Sequence, residues 1–255
     1  MRFASLGSGS RGNALLVEAG DTRLLLDCGF GLRETDYRLG RLGQLPESLA
    51  GILVTHEHGD HIAGAFKLAA RYRLRVWMTH GTHAAAPGEG GDNPHVELID
   101  SHRSFSVGDL EIHPFPVPHD AREPVQYVFS DGRHRLGVVS DLGSSTPHVE
   151  RMLSGCDALV LECNHDAAML AQGNYPAQLK RRIAGRFGHL ENAASAALLA
   201  SLDTRNLQHL LAAHLSQQNN TPALARAALA GVLGCEENWI GVADQDAGFG
   251  WRALL

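Results

Sequence analysis

The sequence predicts an α/β sandwich with helices on its outer faces. Three observations carry that expectation. Short apolar runs of strand length recur along the chain and stop abruptly in polar clusters. Stretches rich in Ala and Leu at helical spacing follow several of those clusters. No low-complexity linker interrupts the alternation, so a single domain over residues 1–255 is expected. The chain has 255 residues, 44% apolar and 20% charged, which is ordinary for a globular protein able to bury a substantial core.

Residues 2–6 read as an apolar strand leading into Gly7-Ser8-Gly9-Ser10-Arg11-Gly12-Asn13. Such a Gly/Ser run is either a plain hairpin loop or a cradle whose backbone N–H groups meet an anion, with Ser8, Ser10 and Asn13 as its substrate contacts. Residues 14–17 and 23–26 read as paired strands, and Asp27 follows the second directly. A helix is expected from residue 32 to 43, closed by Pro46, and another over 62–72. Residues 75–79 form the next strand, followed by a loop in which His80 and His83 serve either structure or substrate. Residues 87–94 read as a surface loop. Residues 96–117 alternate as β structure around a Gly108-Asp109 turn, and 125–129 pairs with 135–139 around Ser130-Asp131-Gly132. Residues 158–161 are a buried strand ending in Glu162-Cys163-Asn164-His165-Asp166. Beyond a basic segment, 180–186, a helix over 193–202, a strand over 207–212, a helix over 222–233 and a strand over 239–243 complete the reading.

The stretch that organises the chain is Gly51-Ile52-Leu53-Val54-Thr55-His56-Glu57-His58-Gly59-Asp60-His61. A buried strand ends in a polar cluster. His56 and His58, two residues apart, project to one side of extended chain. Gly59 lets the backbone turn, swinging Asp60 and His61 to a neighbouring point. Two pairs of donors aimed at two nearby points suit a dinuclear metal site, and imidazole with carboxylate suits zinc, manganese or ferrous iron.

Composition limits the alternatives. A net charge of −6 argues against a surface coated for nucleic acid, though not against a local basic patch. Cys28, Cys156, Cys163 and Cys235 are widely spaced without a C-x-x-C pair, as expected of free thiols in a reducing compartment. The N-terminal residues lack the apolar core of a signal peptide, and no stretch suits a membrane-spanning helix. A cytoplasmic location is expected.

His56-Glu57-His58-Gly59-Asp60-His61 matches the H-x-H-x-D-H signature of the metallo-β-lactamase-fold hydrolases, and the resemblance extends along most of the chain. It implies a four-layer αββα sandwich. It also implies that His119, after Pro116-Val117-Pro118, completes the first ion's ligands, that Asp141 bridges two ions, and that His214 completes the second set. Asp27 would support a neighbouring ligand through a hydrogen bond rather than bind metal.

Together with Asn164-His165-Asp166, Gly188-His189-Leu190 and His214-Leu215-Ser216, these motifs resemble the YycJ/WalJ-type branch, related to RNase Z and RNase J. That implies a nuclease or phosphodiesterase, with 5′→3′ exonucleolytic action on DNA first in view. Two divalent ions, zinc or manganese with iron a further candidate, would hold a bridging hydroxide that attacks phosphorus. Asp60 would orient the nucleophile, and His165 and His189 are candidates for phosphate contact or leaving-group protonation. Asn164 joins the substrate contacts. Lys180, Arg181 and Arg182 would meet substrate phosphates, unless they are simply a solvated helix face. One departure is visible, because Glu191 stands where the branch has Ser, and an acidic group there disfavours a nearby phosphate. The alternative on the same metal centre is a small-molecule ester, thioester or lactam hydrolase, which would want a narrow apolar pocket and no basic groove.

Overall fold

The structure is a computed structural model that describes residues 1–86 and 94–255. Two seven-stranded sheets stack face to face. The first has the strand order β14-β1-β2-β3-β4-β5-β6, with β1 (Arg2–Gly7), β2 (Ala14–Ala19), β3 (Thr22–Leu26), β4 (Gly51–Leu53), β5 (Arg75–Thr79), β6 (Val96–Ile99) and β14 (Phe249–Ala253). The second runs β13-β12-β11-β10-β9-β8-β7, with β7 (Phe105–Val107), β8 (Leu110–Pro116), β9 (Val125–Ser130), β10 (Arg135–Val139), β11 (Ala158–Glu162), β12 (His209–Ala213) and β13 (Gly241–Val242).

The long apolar runs are explained by burial on both faces. In β3, Leu24 and Leu26 enter the core between the sheets, while Leu25 faces outward into a second core with Leu39 and Leu68. In β11, Ala158 and Val160 join the central core, and Leu159 and Leu161 pack outward with Val149, Leu198 and Leu229. The outer residues come from α1 (Leu32–Arg41) and α3 (Ala65–Tyr72) on one side, and from α5 (Pro147–Leu153), α8 (Asn192–Ser201) and α9 (Pro222–Leu233) on the other. Three cores separate four layers, the αββα arrangement. Truncating a fully buried leucine such as Leu25 to Ala costs about 2–5 kcal/mol.

Three expectations are corrected. The helix expected over 62–72 is two pieces, α2 (Gly59–Ile62) and α3, broken at Gly64. A Cβ there would lie 1.9 Å from the Phe30 carbonyl oxygen, so only glycine fits where the chain passes the continuation of β3. His80 and His83 sit in a helix, α4 (His80–Ala85), whose N-terminus is capped by the Thr79 hydroxyl. The strand expected over 239–243 is shortened to β13 by a 3₁₀ turn at Glu237–Trp239, and β14, which pairs antiparallel with β1, lies where no element was expected. The loop expected over 87–94 lies almost wholly outside the described residues.

The connections place the site. β3, β4, β5 and β6 run parallel, as do β10, β11, β12 and β13, so Asp27, His56, Asp141, Glu162 and His214 all fall at carboxyl ends. β8 is antiparallel to β9 and β9 to β10, which brings His119 to the same edge. The two sheets are tied there by the Tyr127 hydroxyl donating to the Val54 carbonyl at 2.9 Å. Among the described residues no helix is long and apolar enough to cross a membrane.

Candidate metal centre

The loop after β4 and three loops from the second sheet meet at one point. His56 Nε2 lies 3.0 Å from His58 Nδ1, which lies 3.3 Å from His119 Nε2. Beside this trio, Asp60 Oδ2 lies 3.5 Å from His61 Nε2 and 3.4 Å from His214 Nε2. Asp141 sits between the groups, with Oδ2 2.9 Å from His61 Nε2 and Oδ1 3.8 Å from His119 Nε2. The seven donors expected from the sequence are thus brought together at two adjoining points. Gly59 makes no use of its missing Cβ, which would meet nothing within 4 Å. His58 instead keeps an extended backbone and α2 begins after it, and that change of direction separates Asp60 and His61 from the pair before them.

Four of these histidines are held from behind through Nδ1, which leaves Nε2 facing inward. His61 Nδ1–H donates to Asp27 Oδ2 at 2.8 Å, and His119 Nδ1–H to the Gly188 carbonyl at 3.0 Å. His214 Nδ1 lies 3.2 Å from Glu162 Oε1, and His56 Nδ1 lies 2.9 Å from the Thr55 hydroxyl, itself a donor to Asp27. Such partners fix ring orientation and tautomer around a metal. Asp27 therefore occupies the supporting place expected of it, and it also accepts the Thr55 N–H at 2.9 Å.

The donor set fits divalent cations. With the Nδ1 atoms of His56 and His119 turned outward, their Nε2 atoms lie 3.0 and 3.3 Å from His58 Nδ1, so three ring nitrogens face one point, an arrangement suited to a cation between them. Among the described residues Asp141 Oδ2 is buried with no hydrogen-bond donor assigned to it, while it lies 2.9 Å from His61 Nε2. Electrostatics agree. Burial pushes Asp141 up, but the charges of His214 and His61 hold its carboxyl well below the usual carboxylate range. Against burial, Asp141, Asp27 and Asp60 hold His61 well above the ordinary imidazole value. His214, also opposed by burial, is pushed up to about 9 by Asp141 and its bonds to Asp60 and Glu162. His56 goes the other way, held well below by burial and the charge of His61. The carboxylates thus keep protons on His61 and His214, and cations can take their place.

The centre opens into a cleft of about 320 Å³. Asn164, His189, Arg182 and Ser10 line it beside Asp60, joining four more of the expected residues to the metal cluster. His189 Nδ1 lies 2.8 Å from Glu162 Oε1 and 3.2 Å from Asp141 Oδ1. Other expected residues stand elsewhere. Ser8 and Asn13 are buried beneath the centre, the Ser8 hydroxyl accepting the His214 N–H at 2.9 Å and Asn13 Nδ2 lying 3.1 Å from His61 Nε2. They brace donors rather than face substrate. Lys180 Nζ donates to the Ala171 carbonyl, Arg181 is exposed, and neither lines the cleft. His165 is buried with its Nδ1 3.3 Å from Asn164 Oδ1 and does not line the cleft either. Glu191 starts α8 and is also outside it.

Glu162 is the residue that sequence reasoning missed. It is fully buried; Oε1 meets His189 and His214, and Oε2 accepts the N–H groups of Leu142 and Leu190 at 2.8 and 3.2 Å. The signal was available, since Glu162 ends an apolar strand as Asp27 follows Leu24-Leu25-Leu26.

Comparison with known proteins agrees with this geometry. Residues 22–214 match the Beta-lactamase superfamily domain. The chain is 37% identical over 250 residues to exodeoxyribonuclease YycJ of Bacillus anthracis, covering 96% of this chain and 92% of that protein. It is 30% identical over 246 residues to exodeoxyribonuclease WalJ of Streptococcus pneumoniae, covering 94% and 91%. The fold is similar to that of the metallo-β-lactamase fold protein YhfI from Bacillus subtilis, with TM-score 0.72 and 19% identity over 99% of both chains. It is also similar to the short form of human tRNase Z, with TM-score 0.68 and 15% identity over 100% of both. With the signature donors gathered at one strand edge and these matches spanning most of its length, the chain belongs to the metallo-β-lactamase superfamily, alongside the YycJ and WalJ exodeoxyribonucleases.

Proposed function

We propose that this protein is a divalent-metal-dependent phosphodiesterase that removes nucleotides from DNA ends, working 5′→3′, and that residues 1–255 act as one domain. The observation that carries the proposal is the convergence of seven donors, four of their histidines held through Nδ1, at the floor of an open cleft. The near full-length similarity to proteins named exodeoxyribonucleases supports DNA as substrate.

His56, His58, His119 and Asp141 would hold one ion, and Asp60, His61, His214 and Asp141 a second. Zinc and manganese suit this donor set best, and iron is the third candidate. When bound, such ions lower the pKa of water, to about 7 for zinc, and offset charge on phosphate oxygens. The remaining work falls to the chain itself. Asp60, half-buried at the cleft floor, orients the attacking water. His189 keeps a proton because, against burial, Glu162 and Asp141 hold it well above the ordinary imidazole value. It is the group we assign to protonating the leaving oxygen. Ser10, Asn164 and Arg182 meet substrate phosphates from the walls. Four free cysteines suit a reducing compartment, and we place the reaction in the cytoplasm.

The test uses purified protein loaded separately with manganese and with zinc. It is offered 5′-labelled duplex DNA, single-stranded DNA, RNA and bis(p-nitrophenyl) phosphate. Stepwise release of nucleotides from DNA is expected. Turnover of the small ester alone, with every polymer intact, would replace this reading with the small-molecule hydrolase.

A further inference from the structure

One wall of the cleft is built by a segment that carries none of the metal donors. It comprises α6 (Ala167–Gln172), Gly173-Asn174-Tyr175-Pro176, and α7 (Ala177–Ile183). This segment supplies Tyr175, Arg182 and Ile183 to the cleft. Among the described residues, Tyr175 is the cleft's one aromatic ring apart from its histidines, and Arg182 its one Lys or Arg.

The segment is fixed rather than loosely draped. Asp166 caps α6, Lys180 Nζ donates to the Ala171 carbonyl at 2.6 Å, and Pro176 stiffens the entry to α7. At its far end, the His189 N–H donates to the Ile183 carbonyl at 2.9 Å. A Cβ on Gly188 would lie 2.2 Å from the carbonyl oxygens of Arg182 and Ile183, and the Gly188 carbonyl holds His119. The position of Arg182 is thereby set against His119 and His189.

Arg182 is oriented by its neighbour. Its Nε donates to Asp120 Oδ2 at 2.5 Å, while its terminal nitrogens make no protein hydrogen bond among the described residues. The Tyr175 hydroxyl has no protein partner among them either, and the ring is only half-buried. A ring and a guanidinium with two free nitrogens lining one cleft match one nucleotide unit, base on the ring and phosphate on the fork.

We infer that Tyr175 and Arg182 form the subsite for the terminal nucleotide of the DNA strand, Tyr175 stacking on its base and Arg182 binding its phosphate. This rests on the exonuclease reading above. Stacking is the recognition such an enzyme needs, because every base has a π-face and an exonuclease has to accept each in turn. Hydrogen bonds to base edges would stall it at three bases of four. Tyr175 and Arg182 are therefore specificity residues for a nucleotide end of any sequence.

The experiment compares wild type with Tyr175→Ala, Tyr175→Phe and Arg182→Gln. The substrates are an oligonucleotide of ordinary sequence and the same strand with an abasic residue at the end digested first. Tyr175→Ala is expected to raise KM about tenfold or more on the ordinary strand, with kcat little changed, while Tyr175→Phe matches wild type. On the abasic strand, wild type and Tyr175→Ala should share one KM. Metal-free Arg182→Gln should bind a fluorescent oligonucleotide more weakly by anisotropy, with a salt slope lower by about one. An unchanged KM for Tyr175→Ala, or an equal loss on both substrates, overturns the inference while leaving the exonuclease reading intact. A wild type that digests no DNA fails that reading instead.

Discussion

The two sheets furnish the same centre in different ways. The first contributes four donors, His56, His58, Asp60 and His61, from six consecutive residues after β4. The second contributes three, His119, Asp141 and His214, each from its own loop and spread over residues 119–214. Neither sheet holds a complete ligand set, because each of the two adjoining donor groups draws on both. Each sheet nevertheless repeats one device. A buried carboxylate at a strand end grips a histidine from behind, Asp27 on His61 in the first sheet and Glu162 on His214 in the second. Each also places one site residue in the left-handed region, Asp27 at φ 60° and His214 at φ 53°. Non-glycine residues sit there at a cost, so packing across the sandwich must hold both turns in place.

That parallel can be broken in graded steps. The largest effect is expected from Asp141→Ala, which removes the donor common to both groups. Hydrolysis of DNA should fall by at least about a thousandfold, as expected when several kcal/mol of transition-state stabilisation are lost. Initial rates at saturating metal are the readout.

Next come the supporting carboxylates. Asp27→Asn and Glu162→Gln should each weaken metal binding by about 10–100-fold in a calorimetric titration. Glu162→Gln is expected to be the more damaging, since Glu162 grips His189 as well as His214. Equal effects would mean that the second contact adds nothing.

A smaller effect separates strain at the site from strain elsewhere. Arg73, at φ 58°, is the third left-handed residue outside glycine among the described residues and ends α3 away from the cleft. Arg73→Gly should raise stability by about 0.5–1 kcal/mol in denaturant melts and leave hydrolysis unchanged.

The smallest effect concerns the far edge of the first sheet, where Glu18 pairs with Arg2 and Arg23. Burial pushes its carboxyl up, but the two guanidinium groups hold it below the usual range. Its stabilisation is thus fully present above the unfolded value of about 4.3 and fades as pH falls through the lower folded one. Glu18→Gln should cost under about 1 kcal/mol at neutral pH, with the difference from wild type closing in acid.

How much was legible in advance follows the same division. The donors after β4 fall within six consecutive residues, so strand period and residue type alone located them. His119, Asp141 and His214 carry no local signature beyond a polar residue ending an apolar strand. They were placed by order and resemblance, since only the parallel register of β10, β11 and β12 brings those ends together. Glu162 had the same weak signal and no motif, and went unread. Ser8 and Asn13 misled for a related reason. A Gly/Ser loop that can cradle an anion is locally the same as one that hydrogen-bonds beneath a site, and only the approach of His214 and His61 decides between them. Of the basic side chains in the run at 180–186, helix geometry turned one, Arg182, into the cleft.

The division of donors implies that the two sheets share two metal ions. The direct measurement is metal content by mass spectrometry after dialysis of wild type, His119→Ala and His214→Ala against manganese or zinc. Two ions per chain are expected for wild type and about one for each variant, with folding checked by circular dichroism. A wild type that retains a single ion, or a variant that still retains two, would contradict the division of donors between the sheets.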